Sequence, residues 1–181
     1  MFFKKIAEGL DMGPLQAQLS ANPQLWDQFD ARRTAPGSPH SEMTDIWVRY
    51  GADPSAPGPH VPVWYPAAEN LPAMRRLALD IADLVQGDEL GGVLLTRLPP
   101  GGRIAPHRDG GWHAGYFEKF YVAINAPPGA HFCWTGETLI PAQGDVWWFR
   151  NDVTHWVENN STETRLAAIV CVKTDKFKGQ S

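Results

Sequence analysis

Residues 97–111 read Arg97-Leu98-Pro99-Pro100-Gly101-Gly102-Arg103-Ile104-Ala105-Pro106-His107-Arg108-Asp109-Gly110-Gly111, and the fold turns on how they are taken. The apolar run Val93 to Leu98 just before them has strand composition, Pro-Pro-Gly-Gly is a turn, and Arg103 onward is extended again. In extended chain, residues two apart project to one side. His107 and Asp109 therefore present an imidazole and a carboxylate to one point while Arg108 faces away. Alone, the triplet says little, because in a chain with 6 His and 20 acidic residues an HxD arises readily by chance.

Its company raises its weight. After Gly144-Asp145, the run Val146-Trp147-Trp148-Phe149 reads as a strand, Arg150-Asn151-Asp152 as a turn, and His155-Trp156-Val157 as the start of a returning strand. His155 is then a third candidate ligand. Two imidazoles and one carboxylate hold Fe(II) on one face of its octahedron and leave positions open for O2 chemistry. A structural zinc site would close four positions, usually with Cys. Here the two cysteines, Cys133 and Cys171, lie far apart in apolar strands. Arg165 heads the apolar strand Leu166 to Val172, where a guanidinium can clamp a carboxylate through two parallel hydrogen bonds.

The segment Leu98 to Val172 resembles the aspartyl/asparaginyl beta-hydroxylase family of Fe(II)- and 2-oxoglutarate-dependent oxygenases. PPGGRIAPHRD carries its first signature and GDVWWFRNDVTHWVENNSTETRLAAIV its second, with the Arg ten positions after the distal His. The resemblance implies a mainly β chain with flanking helices around a double-stranded β-helix, that is, a cupin-like jelly roll. It implies Fe(II), 2-oxoglutarate as co-substrate, and O2. It assigns His107, Asp109 and His155 to the metal and Arg165 to the far carboxylate of 2-oxoglutarate. Thr96 and Lys119 fall where the family places a hydroxyl and a basic residue near the other carboxylate. The family commonly has Arg-x-His there, and this chain has Lys119-Phe120-Tyr121 instead. The presence of Asp109 groups the chain with relatives that keep the metal carboxylate, such as the free-proline hydroxylases. The implied reaction hydroxylates an unactivated C–H bond of an amino acid, free or peptidyl (Asp, Asn or Pro type), while 2-oxoglutarate is decarboxylated to succinate and CO2.

The rest of the chain frames this core. At 181 residues, 43% apolar and 20% charged, it reads as one domain, with a helical and loop part over 1–89 and the metal-binding β core over 90–175. A helix is expected over Pro14–Phe29, although Pro23 interrupts its pattern. Arg32–His40 reads as loop and Thr44–Tyr50 as a strand, with Ile46, Val48 and Tyr50 on one side and Trp47 and Arg49 on the other. Trp47 and Arg49 are thereby candidates for the substrate end of a pocket. Gly51–Pro62 reads as an irregular loop. The clearest helix is Leu71–Gln86, with Asn70 as its cap and Gly87 at its end, packing outside the sheet. Turns at Pro127-Pro128-Gly129, Thr135-Gly136-Glu137, Gly144-Asp145 and Asn159-Asn160-Ser161 divide the remainder into short strands.

Of the other histidines, His40 and His60 carry no assignment, while His113 and His131 are candidates to stand behind the metal site or touch substrate. The net charge of −4 gives no global reason to expect nucleic acid. Met1 to Lys5 starts no signal peptide or membrane span, and unpaired cysteines suit a reducing cytoplasm. A small molecule or a peptide is the expected partner. A cupin-fold metalloprotein that does without 2-oxoglutarate, as isomerase or binding module, is the alternative reading. A ligand-binding jelly roll with incidental histidines is a third.

Overall fold

Alternation along the long strands, broken at a few bulges, builds the molecule, here described as a computed structural model over residues 1–56 and 58–177. In chain order the elements are β1 (Phe3–Ala7), α1 (Gly13–Ala21), α2 (Ala31–Thr34), β2 (Thr44–Gly51), β3 (Pro62–Trp64), α3 (Ala67–Asn70) and α4 (Pro72–Leu84). They continue through β4 (Glu89–Leu98), β5 (Arg103–His107), α5 (Gly111–Tyr116), β6 (Glu118–Asn125), β7 (Ala130–Trp134), β8 (Glu137–Leu139), β9 (Val146–Phe149), β10 (His155–Asn159) and β11 (Arg165–Lys173). Seven strands form one sheet in the order β1-β9-β6-β11-β4-β2-β3, and four form a second in the order β5-β10-β7-β8. Every described ladder is antiparallel. The two sheets face each other as the double-stranded β-helix.

On the outer face of the large sheet, Phe120, Val122 and Ile124 of β6 and Ala168, Val170 and Val172 of β11 pack with Leu15 and Leu19 of α1 and Met74, Ala78 and Ile81 of α4. On the inner face, Tyr121, Ala123 and Ala167 meet Phe132 and Trp134 of β7, Ile104 of β5 and Val157 of β10. Side chains as large as Phe120 and Trp134 are almost wholly buried, and each contributes about 1.5–3 kcal/mol relative to exposure. The inner layer is not filled throughout, and the space left in it is the cavity described below.

The helices differ from their sequence-based outlines. The helix expected over Pro14–Phe29 stops at Ala21, and Pro23 instead opens a single 3-10 turn to Leu25. Pro23 has no N–H for the ladder and its ring crowds the preceding turn. Part of the expected loop Arg32–His40 is helical, in α2. The helix expected from Leu71 starts at Pro72, with Leu71 rather than Asn70 in the cap position and no side-chain cap bond. At its other end Gln86, at φ 53°, takes the left-handed turn, and the Gly87 N–H donates to Ala82 O at 2.8 Å. Strand β1 and helix α5 were not anticipated from the sequence. Within the expected loop Gly51–Pro62, the ends belong to β2 and β3, and Pro57 lies outside the described residues.

Candidate metal centre

The turn at Pro99–Gly102 delivers β5 to the cavity, with Gly101 at φ +72°, a conformation costly for any residue with a Cβ. It is stitched to the end of β10 by Asn159, fully buried, whose amide donates to the carbonyls of Leu98 (3.1 Å) and Pro99 (2.9 Å). Strand β5 then runs against β10 with His107 directly opposite His155. Three steps on β5 (His107 to Ile104) match two on β10 (His155 to Val157), so β5 carries a bulge beside Pro106, which has no N–H for a regular ladder. The bulge lets Ile104 and His107, an odd spacing, line the same cavity.

The two imidazoles are set alike. Nδ1 of His107 lies 2.8 Å from Ala105 O, and Nδ1 of His155 lies 2.8 Å from Val153 O. A carbonyl only accepts, so each Nδ1 carries the proton and each Nε2 keeps its lone pair for a metal. Burial lowers the His155 pKa below its ordinary value, which keeps the ring neutral at neutral pH. Asp109 follows the end of β5, its backbone N–H held by Asn151 O at 2.9 Å. Its Oδ1 is 3.7 Å from His107 Nε2 and its Oδ2 is 3.8 Å from His155 Nε2. The three ligand atoms all lie within 4.8 Å of one another, a span that one ion bridges with a small adjustment of side chains. Burial pushes the Asp109 carboxyl up, but Lys119, with Nζ 2.7 Å from Oδ2, together with the two imidazoles outweighs it and holds the group below the usual carboxylate range.

Arg165, Thr96 and Lys119 line the same cavity as the three ligand candidates. Arg165 is 3% exposed, lies over the Tyr121 ring at 5.1 Å, and has no carboxylate partner among the described residues. Its Nη1 is buried with no hydrogen-bond partner. A guanidinium buried without a counter-ion costs several kcal/mol, so stability does not explain it, whereas a bound carboxylate does. The donor set fits Fe(II): two neutral imidazoles, one carboxylate and no thiolate. Cys171 also lines the cavity, but burial pushes its thiol up to about 11, and Cys133 and Cys171 are both unpaired.

The cavity also holds residues that the sequence did not single out. Arg32, His40 and Tyr50 line it along with Trp47 and His113. Tyr50 arrives there through a bulge: Trp47 and Arg49 of β2 oppose the adjacent pair Leu94 and Val93 of β4, so one extra residue reverses the alternation. Trp47 and Tyr50 consequently share a side, with ring centroids 4.9 Å apart. Arg49, expected beside Trp47, instead donates to Leu90 O at 3.2 Å and packs on Trp64. Gly92 makes room here, since a Cβ on it would sit 3.0 Å from Tyr50 and 3.1 Å from His113. His131 pairs across β10 with Glu158 and is not among the cavity residues.

The family model for aspartyl/asparaginyl beta-hydroxylase matches residues 62–174. The chain belongs to this family. It is a 2-oxoglutarate-dependent hydroxylase of the Fe(II) oxygenase class, and family membership weighs against a cupin that dispenses with 2-oxoglutarate. Solved structures repeat the fold. A prolyl hydroxylase from Trichoplax adhaerens, in complex with a hypoxia inducible factor oxygen degradation domain peptide fragment, is 12% identical at TM-score 0.64, over 99% of this chain and 86% of that one. The viral collagen prolyl hydroxylase of Paramecium Bursaria Chlorella virus-1, in complex with 2-oxoglutarate, is 13% identical at TM-score 0.55 over 97% of both chains. SnoN, the alpha-ketoglutarate-dependent epimerase of nogalamycin biosynthesis, is 17% identical at TM-score 0.62, over 94% of this chain and 78% of that one. No curated protein sequence matches this family member. Among its described residues, no helix is long and apolar enough to cross a membrane.

Proposed function

We propose that His107, Asp109 and His155 hold Fe(II), that Arg165 grips the far carboxylate of 2-oxoglutarate, and that the enzyme hydroxylates an unactivated carbon of an amino acid, free or within a peptide. One observation carries this reading: three metal-ligating side chains converge in a cavity that also contains a buried guanidinium with no carboxylate partner among the described residues. Bound Fe(II) supplies the O2 chemistry that couples decarboxylation of 2-oxoglutarate to succinate and CO2 with insertion of oxygen into a C–H bond.

The chain's own residues place the reactants. Ala105 O and Val153 O hold the two rings with Nε2 toward Asp109. Lys119 engages Asp109 Oδ2 and leaves Oδ1 for the metal. Thr96, on the inner face of β4, and the Lys119 ammonium are suited to the near carboxylate of the co-substrate. Phe132, Phe149 and Val157 line the wall beside His155 and keep water from the reacting carbon. Substrate enters past Trp47, Tyr50 and His113. Buried, unpaired Cys133 and Cys171 suit a reducing compartment, and we place the protein in the cytoplasm.

The test is succinate release from 2-oxoglutarate by the purified protein with Fe(II), ascorbate and O2, screened over free amino acids and short peptides. Turnover that needs both iron and one of these substrates is the expected result. A protein that binds iron but never consumes 2-oxoglutarate would overturn the reading.

A further inference from the structure

The cavity contains a second guanidinium that the iron and 2-oxoglutarate leave without a role. Arg32 reaches the cavity from α2 with its side chain 28% exposed. One terminal nitrogen, Nη1, donates to Asp45 Oδ2 at 2.9 Å, and the other, Nη2, lies 3.2 Å from His40 Nε2. A guanidinium only donates, so His40 accepts through Nε2 and carries its proton on Nδ1. Burial keeps that ring uncharged, pushing it down to about 2. The His40 ring in turn stands edge-on to His107 with centroids 4.8 Å apart. Arg32 is thus fixed at both ends of its fork, one imidazole's width from a candidate iron ligand, with three of its five N–H donors still uncommitted.

Charge points the same way. The cationic side chains on the cavity are Arg32, Lys119 and Arg165, set against Asp109 on the wall and Asp45 behind Arg32. Fe(II) and a 2-oxoglutarate dianion cancel each other, so the occupied site still carries one uncompensated positive charge. A guanidinium needed only to neutralise Asp45 would have no reason to face the cavity. Beside it, Trp47, Tyr50 and His113 form an aromatic wall, with Trp47 edge-on to Tyr50 and the Tyr50 and His113 centroids 4.8 Å apart, suited to the apolar part of a small molecule.

We infer that Arg32, held between Asp45 and His40, anchors a carboxylate of the substrate, so that the substrate is a small carboxylic acid or the C-terminus of a short peptide rather than an internal residue of a protein. This rests on the hydroxylase reading above and names the substrate class for that site. The carboxylate sits on Arg32, the carbon chain runs along Trp47 and Tyr50, and the carbon to be hydroxylated faces His107, Asp109 and His155. Arg165 and Arg32 divide the work: one holds the co-substrate's acid, the other the substrate's.

The experiment uses the full chain loaded with Mn(II) and 2-oxoglutarate without O2. Thermal shift is read with the twenty L-amino acids, their carboxamides, and dipeptides with free C-termini. At least one free acid or dipeptide is expected to raise the melting temperature while its carboxamide does not. Arg32→Gln should raise the half-saturating concentration of that acid by about 10- to 100-fold, the effect of losing a charged hydrogen-bonding partner, with Arg32→Lys in between. The acid and carboxamide comparison is made on the unsubstituted protein, so it stands even if the variant folds poorly. A carboxamide that binds as well as its acid, an unchanged acid requirement in Arg32→Gln, or a panel with no acid bound would each overturn the inference. Failure of the hydroxylase reading shows differently, as no iron-dependent succinate formation from 2-oxoglutarate whatever stands at position 32.

Discussion

His107 and His155, far apart in the chain, are direct partners in the β5–β10 register, with ring centroids 4.4 Å apart. One ladder therefore fixes the distance between the two imidazoles, and their hydrogen bonds to carbonyls two residues upstream fix which nitrogen is offered. Replacing either histidine by Ala removes one of three candidate ligands without disturbing the ladder's backbone bonds. Iron affinity should fall by at least about 100-fold, more than loss of an outer hydrogen-bonding partner typically costs, while circular dichroism stays that of the parent. Iron content after gel filtration decides it. Near-stoichiometric metal in both variants would refute the ligand assignment.

Arg165 makes a prediction of opposite sign for the empty and the loaded protein. Its guanidinium is buried with Nη1 unpartnered, so Arg165→Met removes an uncompensated charge at similar volume and should leave the ligand-free protein as stable or more so. The same variant should lose the stabilisation by 2-oxoglutarate, about 2.7 kcal/mol in the parent at a hundredfold excess over Kd. Denaturant unfolding with and without 2-oxoglutarate measures both arms. Equal stabilisation of variant and parent would assign the clamp to another cation.

The ligand candidates were legible because their chemistry is local: HxD in extended chain, a distal His heading a strand, an Arg heading another. The rest of the cavity lining was not, for two physical reasons. Alternation predicts a side chain's face only while the ladder stays regular, and the bulge at Trp47–Arg49 moves Tyr50 into the cavity and Arg49 out of it. Arg32 and His40 sit in α2 and the segment after it, where no periodicity fixes direction, and the guanidinium is oriented by Asp45, a β2 residue, together with His40 itself. The apolar residues of Pro14–Phe29 continue past Ala21, but the helix does not, because Pro23 has no N–H for its ladder.

Asn159 shows that a turn residue in the sequence can be a buried tie in the structure. Its amide donates to Leu98, Pro99 and Glu163 carbonyls, the last at 2.8 Å, and its Oδ1 accepts from the Ser161 hydroxyl at 2.7 Å. Asn159→Ala should destabilise the protein by about 2–4 kcal/mol, since carbonyls in a closed space lose their donor. The Pro99–Gly102 turn also positions β5, so iron should dissociate faster from this variant than from the parent, although Asn159 touches no ligand. Urea unfolding and a chelator-driven iron release assay test the two parts. Loss of stability with unchanged release would mean that the turn does not set His107.

His113 carries a pH dependence whose sign is fixed by its burial. Its Nε2 accepts from the Gly92 N–H at 3.2 Å, and burial pushes the ring down to about 3, against about 6.5 in an unfolded chain. Below pH 6.5 the unfolded state thus binds a proton that the folded state refuses. Stability is full above about 6.5 and is lost as pH falls toward about 3, at up to about 1.4 kcal/mol per pH unit for one such ring. His40 acts in the same direction, being pushed down to about 2. His113→Gln keeps an acceptor for Gly92 but cannot titrate, so its unfolding free energy should fall less steeply between pH 6 and 4 than the parent's, by about that slope. Parallel curves for the two proteins in this range would mean that His113 takes up its proton in the folded state, and that the wall of Tyr50 and His113 is open to water.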